Sequence, residues 1–225
     1  DISGTPTAVT SSASYTITAT NTGGTDTASV TIVVNDIAPS ISYSTTSYTL
    51  TKGTAMTTAT VTSTGGTVVS YSVSPSLPAG LSLDTSTGDI SGTPTAVTSS
   101  ASYTITATNT GGTDTASVTI VVNDEAPTIS YGTNSLTLEK GTTMTTETPT
   151  VGGGTITSWS VSPSLPAGLS LDSSTGAISG TPSAVTSSAS YTITATNTGG
   201  SDNATITIVV NDIAPVISYS TSSFT

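Results

Sequence analysis

Two carboxylates stand close together in one short segment of the chain, and a carboxylate pair can catalyse glycoside hydrolysis. Asp84 and Asp89 flank the turn-forming run Thr-Ser-Thr-Gly. The same segment returns 88 residues later, where Asp172 is followed by Ala177 in place of the second carboxylate. Because the later copy lacks half of the pair, we interpret these residues as turn formers whose side chains bind nearby backbone. The pair therefore predicts no catalysis.

Lys and Asn are the other residue types that could react with each other, because they can form an amide bond between strands beside a buried acid. The pairs at equivalent positions are Lys52 with Asn123 and Lys140 with Asn211. Lys52 lies in Thr-Lys-Gly, a sequence typical of an exposed turn, and no buried acid is evident beside either Lys. The pattern therefore favours an ordinary surface lysine in each turn.

The overall composition excludes several classes of protein. The chain has two Lys, no Arg, no His and no Cys, and its net charge is -11. Zinc fingers and His-based general-base catalysis need residue types that are absent. An acidic chain without Arg repels nucleic acid and anionic membrane surfaces, and no apolar run approaches the roughly 20 residues that span a bilayer. We therefore expect no enzyme, no nucleic-acid partner and no membrane insertion in this segment.

Ser and Thr dominate the chain, at 95 of 225 residues, and only 7% of the residues are charged. Such a composition is also found in disordered stalks. Here, however, Val and Ile alternate with Thr and Ser in several segments, and β-branched residues favour a pleated, half-buried surface. The alternation therefore predicts a folded all-β chain.

A repeat of 88 residues organises the sequence. Residues 1–36 return unchanged at 89–124, and the copy at 177–212 differs at six positions. Each copy ends in Asn-Asp and is followed by x-Ala-Pro, and proline cannot donate to a sheet ladder. We therefore predict the C-terminal part of a repeat at 1–36, complete repeats at 37–124 and 125–212, and the first strand of another repeat at 213–225. This is the pattern of a piece of a longer array.

Each complete repeat is expected to be an antiparallel sandwich of about seven short strands. In the first, the strands are predicted near 40–44, 58–63, 67–73, 80–84, 90–92, 102–110 and 113–123. Tyr71, matched by Trp159 in the second, is expected to be the bulky core residue of a central strand. Alternation directs the following residues to the core: Val69, Val73, Leu81, Leu83, Tyr103, Ile105, Ala107, Val118, Ile120 and Val122.

One longer motif resembles a known family. The segment LPAGLSLDTSTGDISGTPTA, followed by SYTITATNTGGTDTASVTIVVND, is similar to the immunoglobulin-like (Ig-like) tandem repeat of bacterial surface proteins, which is related to dystroglycan-type cadherin-like domains. The resemblance covers essentially the whole chain, and its most specific part is GLSLD-x-x-TG-x-ISGTP. It implies β-sandwich domains strung in tandem through large secreted or cell-surface proteins, often adhesins. It implies no particular ligand, because fold is not function.

The resemblance to cadherin-like domains also implies a calcium site between neighbouring domains, in a linker of the form Asp-x-Asn-Asp-x-Ala-Pro. The residues here that could bind calcium weakly are Asn35, Asp36, Asn123, Asp124, Glu125, Asn211 and Asp212. The first Asp of the motif is replaced in each linker, by Val33, Val121 and Val209. Because calcium takes about six to eight oxygen ligands, this replacement favours a solvated acidic linker, and no other cofactor is expected.

Three functions are consistent with these observations. The leading one is a non-catalytic, rod-like spacer in an extracellular fibre or adhesin stalk on a cell surface, of bacterial type, which projects a distal binding element. Its partners would be the neighbouring repeats and other copies of the fibre. The alternative is a set of carbohydrate- or protein-binding accessory modules of a secreted protein. The third is a self-associating fibre subunit that pairs through edge strands.

Overall fold

The computed structural model describes residues 1–218 and 220, and every helix or strand assigned among them is a β-strand. The chain divides into two compact units, which meet in sequence between Val122 and Asn123. None of the described residues forms a helix that is long and apolar enough to cross a membrane.

The first two strands form an antiparallel hairpin, with β1 at Thr10–Asn21 and β2 at Gly24–Val34. Its apolar side chains are exposed, with Tyr15 at 48% and Ile17 at 45%. Their equivalents one repeat later, Tyr103 and Ile105, are buried at 4% and 0%. The difference arises because the later copy is packed against the other strands of its own repeat.

The complete repeat in the first unit contains eight strands. Its main sheet has four strands in the order β4-β10-β9-β6, and the smaller pairs are β3-β5 and β7-β8. The strands are β3 (Pro39–Tyr43), β4 (Ser47–Thr51), β5 (Val61–Gly65), β6 (Ser70–Ser74), β7 (Leu81–Leu83), β8 (Ile90–Gly92), β9 (Thr98–Asn109) and β10 (Gly112–Asn123).

The second unit repeats this arrangement. Its four-stranded sheet has the order β12-β18-β17-β14, and its smaller pairs are β11-β13 and β15-β16. The strands are β11 (Thr128–Tyr131), β12 (Ser135–Glu139), β13 (Pro149–Gly152), β14 (Ser158–Ser162), β15 (Leu169–Leu171), β16 (Ile178–Gly180), β17 (Thr186–Asn197) and β18 (Gly200–Asn211).

Each complete repeat has its own core between the four-stranded sheet and the smaller pairs. Alternate residues of the long hairpin β9–β10 point inward, as the sequence predicts. The buried side chains of the first core are Ile41, Tyr43, Ala59, Tyr71, Ile90, Tyr103, Ile105, Ala107, Val118, Ile120 and Val122. The second core includes Trp159, which replaces Tyr71.

The structure corrects three details of the predicted sandwich. Strands β4 and β12 were not expected, and β12 pairs with β18 in parallel, so the sheet is not purely antiparallel. Tyr71 is buried, but its strand β6 lies at one end of the sheet order and not in the centre. Val69 is 72% exposed because β6 begins after it, at Ser70, and Val68 packs against the core in its place.

The predicted repeat boundaries can be compared with the strands. The last strand of the first complete repeat, β10, ends at Asn123, and the next strand, β11, begins at Thr128. The strand predicted within 213–225 has no counterpart at residues 213–218, which have no regular structure. The remainder of that prediction, apart from Ser220, lies outside the described residues.

Candidate functional site

The carboxylates of the hairpin turn stabilise the turn itself. The Asp84 carboxylate accepts hydrogen bonds from the backbone N–H groups of Ser86, at 2.8 Å, and Thr87, at 3.0 Å. The Ser86 hydroxyl donates a further hydrogen bond to it, and these bonds hold the pKa of Asp84 below its usual value. Asp89 accepts instead from the backbone N–H of Val61, at 3.3 Å. The two side chains therefore bind separate parts of the backbone.

The linker that opens the first complete repeat is bound to that repeat by several hydrogen bonds. The two carboxylate oxygens of Asp36 accept from the backbone N–H groups of Ile37, at 2.8 Å, and Thr67, at 3.0 Å. The Asp36 backbone N–H donates to the hydroxyl of Thr110 at 3.0 Å. The Asn109 side-chain amide donates to the carbonyl of Ile37 at 2.7 Å. The linker is thus attached to two separate loops of the following repeat.

A second contact of Asn109 and the side chain of Asp114 complete this arrangement, which we call the linker cradle: Asp36, Thr67, Asn109, Thr110 and Asp114. The Asn109 carbonyl oxygen accepts from the N–H groups of Gly111, at 2.8 Å, and Gly112, at 3.1 Å. Asp114 accepts from the backbone N–H of Ile41 at 2.7 Å. Because each bond joins side chain to backbone, the cradle fixes the path of the chain as it enters β3.

The same cradle recurs in the second unit, on Asp124, Thr155, Asn197, Thr198 and Asp202. Asp124 accepts from the N–H groups of Glu125 and Thr155, both at 3.1 Å. The Asn197 side chain donates to the Glu125 carbonyl at 2.6 Å, and Asp202 accepts from the backbone N–H of Ile129 at 2.8 Å. Asn109 and Asn197 are the buried polar residues of the two complete repeats, at 9% and 8% exposure.

Glycine permits the close approach of the linker. A Cβ on Gly66 would lie 2.1 Å from the carbonyl oxygen of Ile37 and 2.6 Å from a carboxylate oxygen of Asp36. A Cβ on Gly111 would lie 2.0 Å from the carbonyl oxygen of Asp36. Any side chain at either position would therefore displace the linker from the cradle.

The sequence identified only part of this site. Asp36, Asp124 and Glu125 were expected at the linker, whereas Asn109, Asn197, Asp114 and Asp202 were not. The signal that could have found the asparagines is Asn-Thr-Gly-Gly, which recurs in all three copies. That motif is typical of a turn, and nothing in it shows which distant backbone group the Asn side chain binds.

The other predicted calcium ligands are not part of the cradle. Asn123 and Asn211 are the last residues of β10 and β18, and the carbonyl of Asn211 accepts from the backbone N–H of Lys140 at 2.9 Å. Asn35 is exposed, and the Asp212 carboxylate accepts from the backbone N–H of its neighbour Ile213 at 3.1 Å. In the described part of the chain, no three acidic, His or Cys side chains are grouped as metal ligands would be. Calcium at these linkers stays a prediction.

In each complete repeat, a tyrosine near the start of the repeat forms a hydrogen bond to the hairpin turn. The Tyr43 hydroxyl donates to the carbonyl of Gly88, and the Tyr131 hydroxyl donates to that of Gly176. Burial raises the pKa of Tyr43 and of Tyr131 to about 12. The glycine of each turn also lies against an aromatic ring, because a Cβ on Gly88 would lie 2.7 Å from Tyr71 and one on Gly176 would lie 2.6 Å from Trp159.

An open groove lies beside each cradle. In the second unit it has a volume of about 390 Å³ and is lined by residues 151–156 together with Trp159, Ser174 and Thr175. In the first unit the equivalent groove, also of about 390 Å³, is lined by residues 63–68 together with Tyr71 and Ser86. The lining residues of both grooves are uncharged.

Comparison with known proteins places both complete repeats in one family. A family model described as "Putative Ig domain" matches residues 38–123 and 126–211. No curated protein gives a significant match to the chain. The two matched ranges coincide with the two repeats that have complete cores.

Solved structures of tandem domains are also similar to the chain. An I-band fragment of titin is 15% identical, covers 90% of this chain and 75% of its own length, and has a TM-score of 0.46. Human protocadherin-24 EC1-2 is 16% identical, with coverages of 80% and 100% and a TM-score of 0.36. The N-terminal four Ig domains of Dscam1 are 13% identical, with coverages of 80% and 47% and a TM-score of 0.47.

Proposed function

This chain belongs to the putative Ig domain family, and from that membership we propose that it is a non-catalytic spacer segment of an extracellular fibre or adhesin stalk. In this role the tandem repeats project a distal binding element from a cell surface of bacterial type. The partners of each repeat are its neighbours in the same chain and, in a bundle, other copies of the fibre. Domains of this kind are typically extracellular.

The main observation in support of the proposal is that the linker cradle holds the linker in an ordered conformation. Between the end of β10 and the start of β11 lie only the residues Asp124–Pro127. The first two of them, Asp124 and Glu125, are hydrogen bonded through backbone and side chain to the repeat that follows. Pro127 has a fixed φ and no N–H. A linker whose residues are already ordered loses little further entropy when the chain is extended or loaded.

The surface chemistry supports an exposed location. Thr and Ser occupy most outward positions of the long strands, as in β9 and β17, where they are hydrated without adding charge. The chain also has only two Lys and no Arg, so trypsin-like proteases have few sites to cleave. Both properties suit a segment that is permanently exposed outside a cell.

The spacer role can be tested by measuring the dimensions of the chain in solution. Small-angle X-ray scattering is recorded for the native chain and for a variant with Gly-Ser-Gly-Ser inserted between Asp124 and Glu125. We expect each complete repeat to add roughly 40 Å of length, because its longest strands, β9 and β10, have 12 residues each with a rise of about 3.3 Å per residue. We expect the insertion to broaden the distance distribution. Equal distributions for the two chains would contradict the proposal.

A further inference from the structure

The groove that recurs beside each cradle is the feature that the spacer role does not use. We call the groove of the second unit the Trp159 groove and its equivalent in the first unit the Tyr71 groove. Both lie between the glycine-containing end of a short strand, β13 or β5, and the hairpin turn that begins with Asp172 or Asp84. A volume of about 390 Å³ falls in the range of small-molecule sites.

The lining of the Trp159 groove is neutral and rich in hydrogen-bonding groups. Hydroxyls come from Thr155, Ser174 and Thr175, and the run of three glycines at 152–154 leaves backbone groups uncovered by side chains. The indole of Trp159 lines the same space and combines an apolar ring with a polar N–H. Hydroxyls both donate and accept hydrogen bonds, so they match a ligand that is itself made of hydroxyls.

We propose that the Trp159 groove binds a neutral saccharide of one or two rings. A saccharide presents C–H faces that suit an aromatic side chain and hydroxyls that suit the Ser, Thr and backbone groups around it. A charged sugar is disfavoured because the lining has no cation and the chain carries a net charge of -11. This inference goes beyond the spacer role and does not depend on it.

The Tyr71 groove provides an internal comparison. At the position of Gly152 it has Thr64, whose hydroxyl bonds to the carbonyl of Ser40 at 3.4 Å. At the position of Trp159 it has the smaller Tyr71, which is 5% exposed compared with 9% for Trp159. The two grooves have the same volume of about 390 Å³, so the difference lies in the aromatic residue, and Tyr71 offers a sugar a smaller and more deeply buried ring face. We therefore expect the Tyr71 groove to bind the same ligand more weakly.

Trp159 is the only tryptophan in the chain, so its fluorescence reports on this groove directly. The full chain is titrated to about 10 mM, a range suited to weak binding, with the neutral disaccharides maltose, cellobiose, lactose and N,N′-diacetylchitobiose. We expect a saturable change in Trp159 emission with at least one of them. Amide chemical shifts of Gly152, Gly153 and Gly154 are expected to move with the same midpoint.

The matched variant is W159Y, which introduces the aromatic residue that the first repeat already accommodates at Tyr71. It removes the larger ring from the groove and keeps the glycine run, so we expect saccharide binding, followed by the amide shifts of Gly152, Gly153 and Gly154, to weaken about two- to tenfold. An unchanged urea midpoint confirms that the variant is folded. The absence of any saturable change in the native chain, or equal binding by a folded variant, would overturn the proposal. If W159Y does not fold, the amide shifts of the native chain decide the question alone.

Discussion

The carboxylate of Asp124 accepts the backbone N–H of Thr155 at 3.1 Å, across 31 residues of sequence. Asp36 makes the same contact with Thr67 at 3.0 Å, again across 31 residues. Because the contact recurs with the same spacing in both complete repeats, it is a structural feature of the repeat itself. Asp36 and Asp124 lie in linkers by sequence, and each also stabilises the fold of the repeat that follows.

Replacing Asp124 by Ala should destabilise the second complete repeat. The variant loses the hydrogen bonds to Glu125 and Thr155, and we expect the free energy of unfolding to fall by about 1–2 kcal/mol. Urea unfolding followed by Trp159 fluorescence measures this repeat specifically. E139A, which removes the same charge from an exposed strand position, is the control and should change stability by less than about 0.5 kcal/mol. Equal losses in the two variants would show that charge alone is responsible.

Replacing Gly176 by Ala should be more damaging. Gly176 has a φ of +72°, and a Cβ there would lie 2.6 Å from the Trp159 ring. Strain and overpacking together should cost about 2–4 kcal/mol. Gly132 is the control, because its φ is not in the left-handed region and a Cβ there meets nothing within 4 Å. G132A should therefore unfold near the native urea midpoint, and a comparable loss in G132A would contradict the packing argument.

Deprotonation of Tyr131 should lower the free energy of unfolding of the second complete repeat in strongly alkaline solution. Burial raises the pKa of Tyr131 from 10.0 to about 12. The folded state therefore holds the phenolic proton more tightly than the unfolded state does. The resulting stabilisation is complete below about pH 10 and is lost as the pH rises towards 12. Urea midpoints measured across this range in the native chain and in Y131F should converge as the pH rises, and a constant difference would count against this explanation.

The Ser86 hydroxyl should control the acidity of Asp84. Its side-chain hydrogen bond is the largest cause of the lowered pKa of Asp84, ahead of the backbone N–H groups of Ser86 and Thr87. S86A should therefore raise the pKa of Asp84 towards 3.8. NMR titration of the side-chain carboxyl measures this change. At the equivalent turn, Ser174 lowers the pKa of Asp172 through its backbone N–H, so S174A should leave that pKa nearly unchanged. The reverse pattern would contradict the assigned hydrogen bonds.

The lowered pKa of Asp172 also predicts how the stability of the fold changes in acid. A lowered pKa in the folded state means that Asp172 contributes stability above its unfolded pKa, and the contribution is lost as the pH falls through the lower folded value. The group is fully exposed, so salt should weaken the effect.

Much of the fold could be predicted from local patterns. Strict alternation placed Tyr103, Ile105 and Ala107 on the core face, because side chains in a strand point to opposite faces in turn. The turn role of Asp84 followed from its place before Thr-Ser-Thr-Gly. Strand β4 was missed although Tyr48 and Leu50 alternate with Ser and Thr, because the run is only five residues long and its pairing partner β10 lies far away in the sequence.

The sequence by itself determined the 88-residue repeat, the all-β class, the inward-facing residues of the long hairpins and the turns between them. These properties depend on neighbouring residues and on the two-residue period of a strand. Only the tertiary structure decided which backbone groups Asp36 and Asn109 bind, and that Tyr71 and Trp159 lie at the base of equivalent grooves. Those contacts join residues 31 to 72 positions apart, and their geometry is set by sheet register and packing, which no local pattern contains.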